Sequence, residues 1–215
     1  AERQFEAPVG QRFAVRFIAA IRSGNRAVCR QLDAARVLAE RGFAVRVAAL
    51  APPKTDLAKN ALAGWSGEVE ALDVAHPAPI LVDALFGTGL TRLLDEAVSE
   101  TLARLAEASR IVIAADVPSG VGTDDGSYLG ASTVTVTLAF GAAKPAHLLQ
   151  PAASLCGRVL VADLGLVVRS DIDVLEKPLL AAPTARDHKY TRGMVAVVAG
   201  AMAGAATLAV GAAAR

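Results

Sequence analysis

Two rhythms of apolar and polar positions run along this chain: short continuous apolar runs, and stripes at helical spacing. The sharpest run is Ile111-Val112-Ile113-Ala114-Ala115, which passes directly into Asp116-Val117-Pro118-Ser119-Gly120. A short apolar run closed by turn residues predicts a parallel strand buried on both faces. Pro118 and Gly120 end it abruptly, which sets Asp116 and Ser119 at its carboxyl edge, where open α/β sheets bind ligands. An aspartate before a turn also caps loops with no further role, so the run alone leaves both readings open.

The rest of the chain supplies a setting for that strand. Residues 1–11 show no period and read as an irregular lead-in, and residues 13–21 predict a first strand. Ser23-Gly24-Asn25 makes a turn, after which Val28, Leu32, Ala35 and Leu38 form the apolar stripe of a helix stopped by Gly42. Residues 44–50 predict a second strand, broken by Pro52-Pro53, and residues 55–64 a helix whose end Trp65 is expected to pack. Residues 79–82 predict a strand running into Asp83, followed by the Gly-rich loop Phe86-Gly87-Thr88-Gly89-Leu90-Thr91-Arg92. A helix over 95–108 carries Val98, Leu102 and Leu105 on one face. Beyond the turn at 120–126, residues 132–138 alternate Thr with Val, the mark of a strand at or near an edge. Lys144-Pro145-Ala146-His147 predicts a turn or short helix, and residues 158–164 a last strand. Strands alternating with helices predict a doubly wound, mostly parallel α/β sheet.

After Gly165 the pattern loosens. Residues 167–187 mix charge and proline as a linker, and His188-Lys189-Tyr190-Thr191-Arg192-Gly193 launches a further strand at 194–198 and a small-residue helix. No charge lies between Arg192 and Arg215, and Gly200 and Gly204 have the spacing that packs membrane helices. The stretch is mostly Ala and Gly with a single Leu, however, and strand, turn and helix account for it better than a membrane span. The expected organisation is a main domain over 1–166, a linker over 167–187 and the incomplete start of a second domain over 188–215.

Composition narrows the function classes. A chain of 215 residues suffices for one α/β domain plus a piece of another. With 22 basic and 21 acidic residues it has no electrostatic footprint for nucleic acid. Cys29 and Cys156 lie far apart, which suggests neither a disulfide scaffold nor a metal pair and suits a reducing cytoplasm. The chain opens on Ala1 with no initiator Met or signal peptide and so reads as a fragment.

Two predicted strand ends present Asp83 and Asp116, with Ser119 close behind, and in this fold class such ends converge on one crevice. Backbone amides of residues 87–90 and the Arg92 guanidinium suit a phosphate or pyrophosphate, although Gly-Thr-Gly alone is a weak motif. Two carboxylates and a hydroxyl can hold a hard monovalent or divalent cation; alternatively one carboxylate binds metal while the other moves protons. Lys144 is a candidate second cation at the site. Nucleophilic chemistry has little support: Ser119 lies outside any Gly-x-Ser-x-Gly elbow, and neither cysteine has a histidine at a diagnostic spacing. His76, His147 and His188 read as surface or packing residues.

Taken together, Val82-Asp83-Ala84-Leu85-Phe86-Gly87-Thr88-Gly89-Leu90-Thr91-Arg92 and Ala115-Asp116-Val117-Pro118-Ser119-Gly120 resemble the NAD(P)H-hydrate epimerases, the YjeF N-terminal domain family. Lys144-Pro145-Ala146-His147, Cys156-Gly157 and Val161-Ala162-Asp163-Leu164-Gly165 continue the resemblance in order, and 188–202 is similar to the start of the ADP-dependent dehydratase domain fused behind it in bacterial repair enzymes. The resemblance implies a Rossmann-like doubly wound fold with a C-terminal strand-helix stub, and an isomerase that interconverts the R and S forms of hydrated NADH and NADPH. It implies potassium as cofactor, held by Asn25, Asp83 and Ser119. Asp116 would be the catalytic acid/base and contact the substrate, with Gly87, Thr88, Gly89, Leu90, Thr91, Arg92, Leu93 and Lys144 lining the dinucleotide. The expected partner is this small molecule, in the cytoplasm, with no nucleic acid and no membrane; a homodimer is an assembly the resemblance leaves open. No dehydratase activity is expected from the stub.

The chain departs from the family at one loop. Where the family has Gly-Asn-Asn-Gly-Gly-Asp-Gly, this sequence has Gly24-Asn25-Arg26-Ala27-Val28-Cys29-Arg30, and Gly122 stands where an aspartate is usual. Loss of the glycines predicts weakened dinucleotide binding and a larger loss of rate. The alternative reading is a non-catalytic binding or scaffolding module on the same fold.

Overall fold

The computed structural model describes residues 16–21, 27–52, 55–167, 169–175, 182, 184–188, 190–191, 193–201 and 203–213. In chain order the elements are β1 (Arg16–Ile21), α1 (Ala27–Glu40), β2 (Ala44–Ala49), α2 (Asp56–Ala63), β3 (Val69–Ala71), β4 (Ile80–Ala84), α3 (Glu96–Glu107), β5 (Ile111–Ala115), β6 (Val136–Phe140), β7 (Arg158–Ala162) and α4 (Ala203–Ala213). Among the described residues the strands form one sheet in the order β3-β2-β1-β4-β5-β6-β7. Every pairing is parallel, which bears out the expected α/β class. The chain reverses its direction of travel between β1 and β4, and such a switch point opens a crevice at the carboxyl ends of the strands. Asp83 lies there, in register with Ala20 of β1 and Ala114 of β5.

Each face of the sheet has its own core. Leu81 and Val112 pack with Leu102 and Leu105 of α3, the apolar stripe read from the sequence. On the other face Val47 packs with Leu32 and Ala35 of α1 and with Trp65, which closes the end of α2 as expected. Arg46 steers the chain from β3 into β4: its guanidinium donates to His76 O at 2.8 Å, to Pro77 O at 3.1 Å and to Glu70 Oε1 at 3.0 Å.

The structure corrects four expectations. First, the strand read over 132–138 begins later, at Val136, although its place near an edge of the sheet holds. It lies between β5 and β7, and Thr137 is fully buried because its hydroxyl donates to Cys156 O at 2.7 Å. Second, β5 is buried on one face only: Val112 and Ala114 are covered, whereas Ile113 and Ala115 are half-buried and Ile111 is exposed. The helices packed on the latter face, α1 and α2, sit against the β1–β2 half of the sheet. Third, residues 27–30, which the resemblance sets in a loop, are the opening turn of α1, as the helical stripe from Val28 reads. Ala and Arg favour helix, and the glycines that would hold a loop open are absent.

The fourth correction concerns the C-terminal segment. The chain divides into two compact units, Ala1–Arg169 and Ser170–Arg215. In the second, α4 forms, but residues 194–198 are not a strand, and Met194, Val195 and Val198 are exposed. An extended run with no partner to complete its hydrogen-bond ladder has little to hold it, whatever its β propensity. Local turns organise the preceding residues. Asp187 accepts the Thr184 N–H at 2.6 Å and its hydroxyl at 2.9 Å, and His188 N–H donates to Thr191 Oγ1 at 2.9 Å. Among the described residues no helix is long and apolar enough to cross a membrane.

Candidate functional site

Asp83 and Ser119 meet where β4 and the turn after β5 come together. Both are buried, at 5% and 1% exposure. A buried carboxylate is costly unless hydrogen-bonded, and here three donors reach it. Ser119 N–H donates to Oδ2 at 2.8 Å, the Ser119 hydroxyl to Oδ1 at 2.5 Å, and Leu85 N–H to Oδ1 at a longer 3.4 Å. Burial nevertheless dominates and raises the Asp83 pKa above the ordinary carboxylate range, with the Ser119 and Leu85 hydrogen bonds pulling the other way. Ser119 Oγ in turn accepts the Phe86 N–H at 2.9 Å. One hydroxyl thus latches the β4 loop to the β5 turn.

Asp116 follows β5 directly and has φ +74°, the one non-glycine in the left-handed region among the described residues. Strain of this kind persists only where neighbours over-determine it, and it concentrates at functional sites. The neighbours are on β6 and the turn beyond. Asp116 N–H donates to Leu138 O at 2.9 Å, and its Oδ1 accepts the Phe140 N–H at 3.0 Å and the Lys144 ammonium. Lys144 Nζ also donates to Phe140 O at 2.8 Å. The ion pair is largely enclosed, its side chains 18% and 19% exposed. Among the described residues no hydrogen bond reaches Asp116 Oδ2, so one carboxylate oxygen is anchored and the other remains open to chemistry.

The sequence reading missed His147. It is buried in the 3-10 turn Pro145–His147, where its Nδ1 accepts the Lys144 N–H at 2.9 Å. The proton therefore resides on Nε2, which donates to Asp116 O at 2.8 Å. Burial pushes the His147 pKa below that of a free histidine, against the opposing pull of the hydrogen bond to Asp116. The available signal was the Lys-Pro-x-His spacing, which brings residues 144 and 147 together on one tight turn. Cys156 behaves as expected of a non-nucleophile: its thiol is fully buried, and that burial raises its pKa.

The Gly-rich loop leaves β4 past Phe86. Among the described residues nothing lies within 4 Å of where a Cβ would stand at Gly87 and Gly89, and Gly89 has φ +95°, so this backbone presents room for a ligand. Thr88, Thr91 and Leu93 are exposed, and Leu90 tucks against the core beside Phe86. Arg92 lies 3.7 Å from Asp95 on an exposed surface, a weak pairing that a phosphate can displace. Among the described residues no hydrogen bond joins residues 87–93 to Asp116. Asn25 lies outside the described residues.

Asp83 is bound to Ser119 and Asp116 to Lys144, and among the described residues no group of three or more His, Cys, Asp or Glu gathers as a metal cluster. One carboxylate beside a neutral hydroxyl is an all-oxygen donor set that suits a hard cation.

Comparison with known proteins places the chain in a family. The family model described as YjeF-related protein N-terminus matches residues 15–146, more than half of the chain. A bifunctional NAD(P)H-hydrate repair enzyme Nnr of Mycobacterium tuberculosis is 34% identical over 192 residues, covering 85% of this chain and 39% of that one. An NAD(P)H-hydrate epimerase of Leuconostoc kimchii is 33% identical over 99 residues, covering 46% of this chain and 44% of its own. The chain therefore spans less than half the length of these relatives. The crystal structure of yeast ynu0 shares the fold at 19% identity, with a TM-score of 0.53 over 62% of this chain and 60% of that one.

Proposed function

Because the chain belongs to the family of YjeF-related protein N-termini, we propose that it interconverts the R and S forms of hydrated NADH and NADPH, an isomerase step in nicotinamide nucleotide repair. The observation that carries this reading is Asp116, whose Oδ1 is fixed by Phe140 N–H and Lys144 while Oδ2 faces no protein donor among the described residues. The carbon to be inverted bears a hydroxyl next to the ring nitrogen. A proton delivered to that hydroxyl lets water leave as the C–O bond breaks, and the nitrogen lone pair forms the C=N bond. Water re-adds from the opposite face and returns the proton. One positioned carboxyl serves both directions. Gly87, Thr88, Gly89, Leu90, Thr91, Arg92 and Leu93 line the dinucleotide in this reading, supported by the room that the described residues leave at Gly87 and Gly89. The partner is the small molecule itself, in the cytoplasm, with neither nucleic acid nor membrane involved.

The purified chain is expected to speed equilibration of isolated R-hydrate to the R/S mixture, followed by chromatography. A rate equal to that of buffer alone would overturn the reading.

In the same reading Asp83 and Ser119, with Asn25, hold a potassium ion. The oxygen donors fit, and a cation would offset the burial that disfavours the Asp83 charge. When bound, the ion supplies a fixed positive charge toward substrate oxygens. A ligand that binds only the folded state at ten times its Kd stabilises it by about 1.4 kcal/mol, roughly 3–6 °C in Tm for a chain of this size. The expected result is a higher Tm in potassium than in tetramethylammonium at equal ionic strength, and no such difference in Asp83→Asn. An equal potassium response in both proteins removes Asp83 from the ligand set.

A further inference from the structure

We propose that His147 is a positioning residue for Asp116, fixing the backbone of both members of the Asp116–Lys144 pair so that the carboxylate is held for proton transfer. This rests on the proposed role of Asp116. Two hydrogen bonds from one buried ring carry the inference. His147 Nδ1 accepts the Lys144 N–H at 2.9 Å, and Nε2–H donates to the Asp116 carbonyl at 2.8 Å. The ring is therefore a rigid strut between two backbones that are 28 residues apart in sequence and joined otherwise by their side chains.

The strut acts where the backbone most needs it. Asp116 sits at φ +74°, a region that L-residues leave when nothing holds them. Its N–H is tied to Leu138 O, and the Nε2–H of His147 ties its C=O, so the peptides on both sides of the strained residue are pinned. Without the imidazole donor the peptide after Asp116 is free to rotate toward ordinary φ. Rotation would draw Oδ1 off the Phe140 N–H and the Lys144 ammonium. A small misplacement of an acid/base group lowers rate far more than it lowers binding.

His147→Asn and His147→Gln separate the two hydrogen bonds. An Asn oxygen can take the place of Nδ1 on Lys144 N–H but falls short of the Asp116 carbonyl. A Gln amide reaches far enough to donate to that carbonyl. His147→Asn is expected to lower kcat on the order of 10- to 100-fold with KM within about twofold, and His147→Gln to recover most of the loss. Equal loss in both variants, or loss confined to Tm with kcat per folded molecule unchanged, would overturn the proposal. A readout independent of turnover keeps it separate from the epimerase reading. In the unmodified protein, long-range ¹H–¹⁵N NMR should show His147 neutral with its proton on Nε2, and the Asp116 carboxyl ¹³C resonance should move in His147→Asn but stay near its place in His147→Gln. A protein that leaves the hydrates unconverted yet shows these shifts would retain the strut and lose the epimerase reading. A proton on Nδ1, or an Asp116 resonance indifferent to His147→Asn, would remove the strut whatever the activity.

Discussion

Asp116→Asn is expected to slow interconversion of the hydrates by about 10²- to 10⁴-fold, the range over which a positioned acid/base contributes. The substitution suits the question because it changes chemistry more than shape. The Asn carbonyl oxygen can stand in for Oδ1, accepting from Phe140 N–H and from Lys144. Asn also tolerates the left-handed backbone of this position better than most residues. What is lost is the oxygen that carries the proton, since an amide nitrogen in its place cannot accept one. The enclosed Lys144 ammonium loses its ionic partner but keeps Phe140 O as acceptor, so stability should fall by no more than about 3 kcal/mol. KM should change little if Asp116 acts mainly in the transition state. The measurement is the chromatographic rate under saturating hydrate, with a thermal unfolding curve beside it. A rate within tenfold of the unmodified protein, at normal stability, would take proton transfer away from Asp116.

That Asp83, Asp116 and Ser119 lie at strand ends was legible from short apolar runs stopped by turn residues, because a parallel strand and its termination are written within a few neighbouring positions. What those side chains contact was not. The Asp83–Ser119 latch spans 36 residues of sequence, and the His147–Asp116 bond spans 31. Neither spacing has a period that a single sequence displays. The strand reading of residues 132–138 shows a different limit. Alternating Thr and Val resembles a half-solvated strand, yet Thr137 is buried with its hydroxyl satisfied by a backbone carbonyl, and a satisfied Thr packs much as Val does. At 194–198 the error runs the other way: β propensity was present without a neighbouring strand to use it. At 27–30 helix-forming residues outweighed the positional correspondence to a glycine-rich loop.

Gly120→Ala is expected to destabilise the protein by about 2–5 kcal/mol, although it adds only one methyl group. Two costs combine. Gly120 has φ +98°, where an L-residue pays about 1–2 kcal/mol. The added Cβ would also lie 2.5 Å from Ala131 N and 2.8 Å from both Ala131 Cα and Gly130 C, all backbone atoms that cannot swing away. Overpacking of this kind typically costs a further 1–3 kcal/mol. The opposing segment is held in place by Leu129 N–H on Gly120 O at 2.7 Å and by the Ser99 hydroxyl on Gly130 O at 2.8 Å. The displacement therefore passes to Ser119, which precedes Gly120 and latches Asp83 to Phe86. Tm should drop by roughly 5–20 °C at the size of this chain, and the potassium response assigned to Asp83 and Ser119 should weaken with it. Gly87→Ala is the matched control: no described residue lies within 4 Å of its added Cβ and its φ is not left-handed, so its effect on stability should stay within about 0.5 kcal/mol. If Gly120→Ala unfolds at the same temperature as Gly87→Ala, the close approach of the 129–131 segment to the Pro-Ser-Gly turn is wrong, and with it the geometry that seats Ser119 on Asp83.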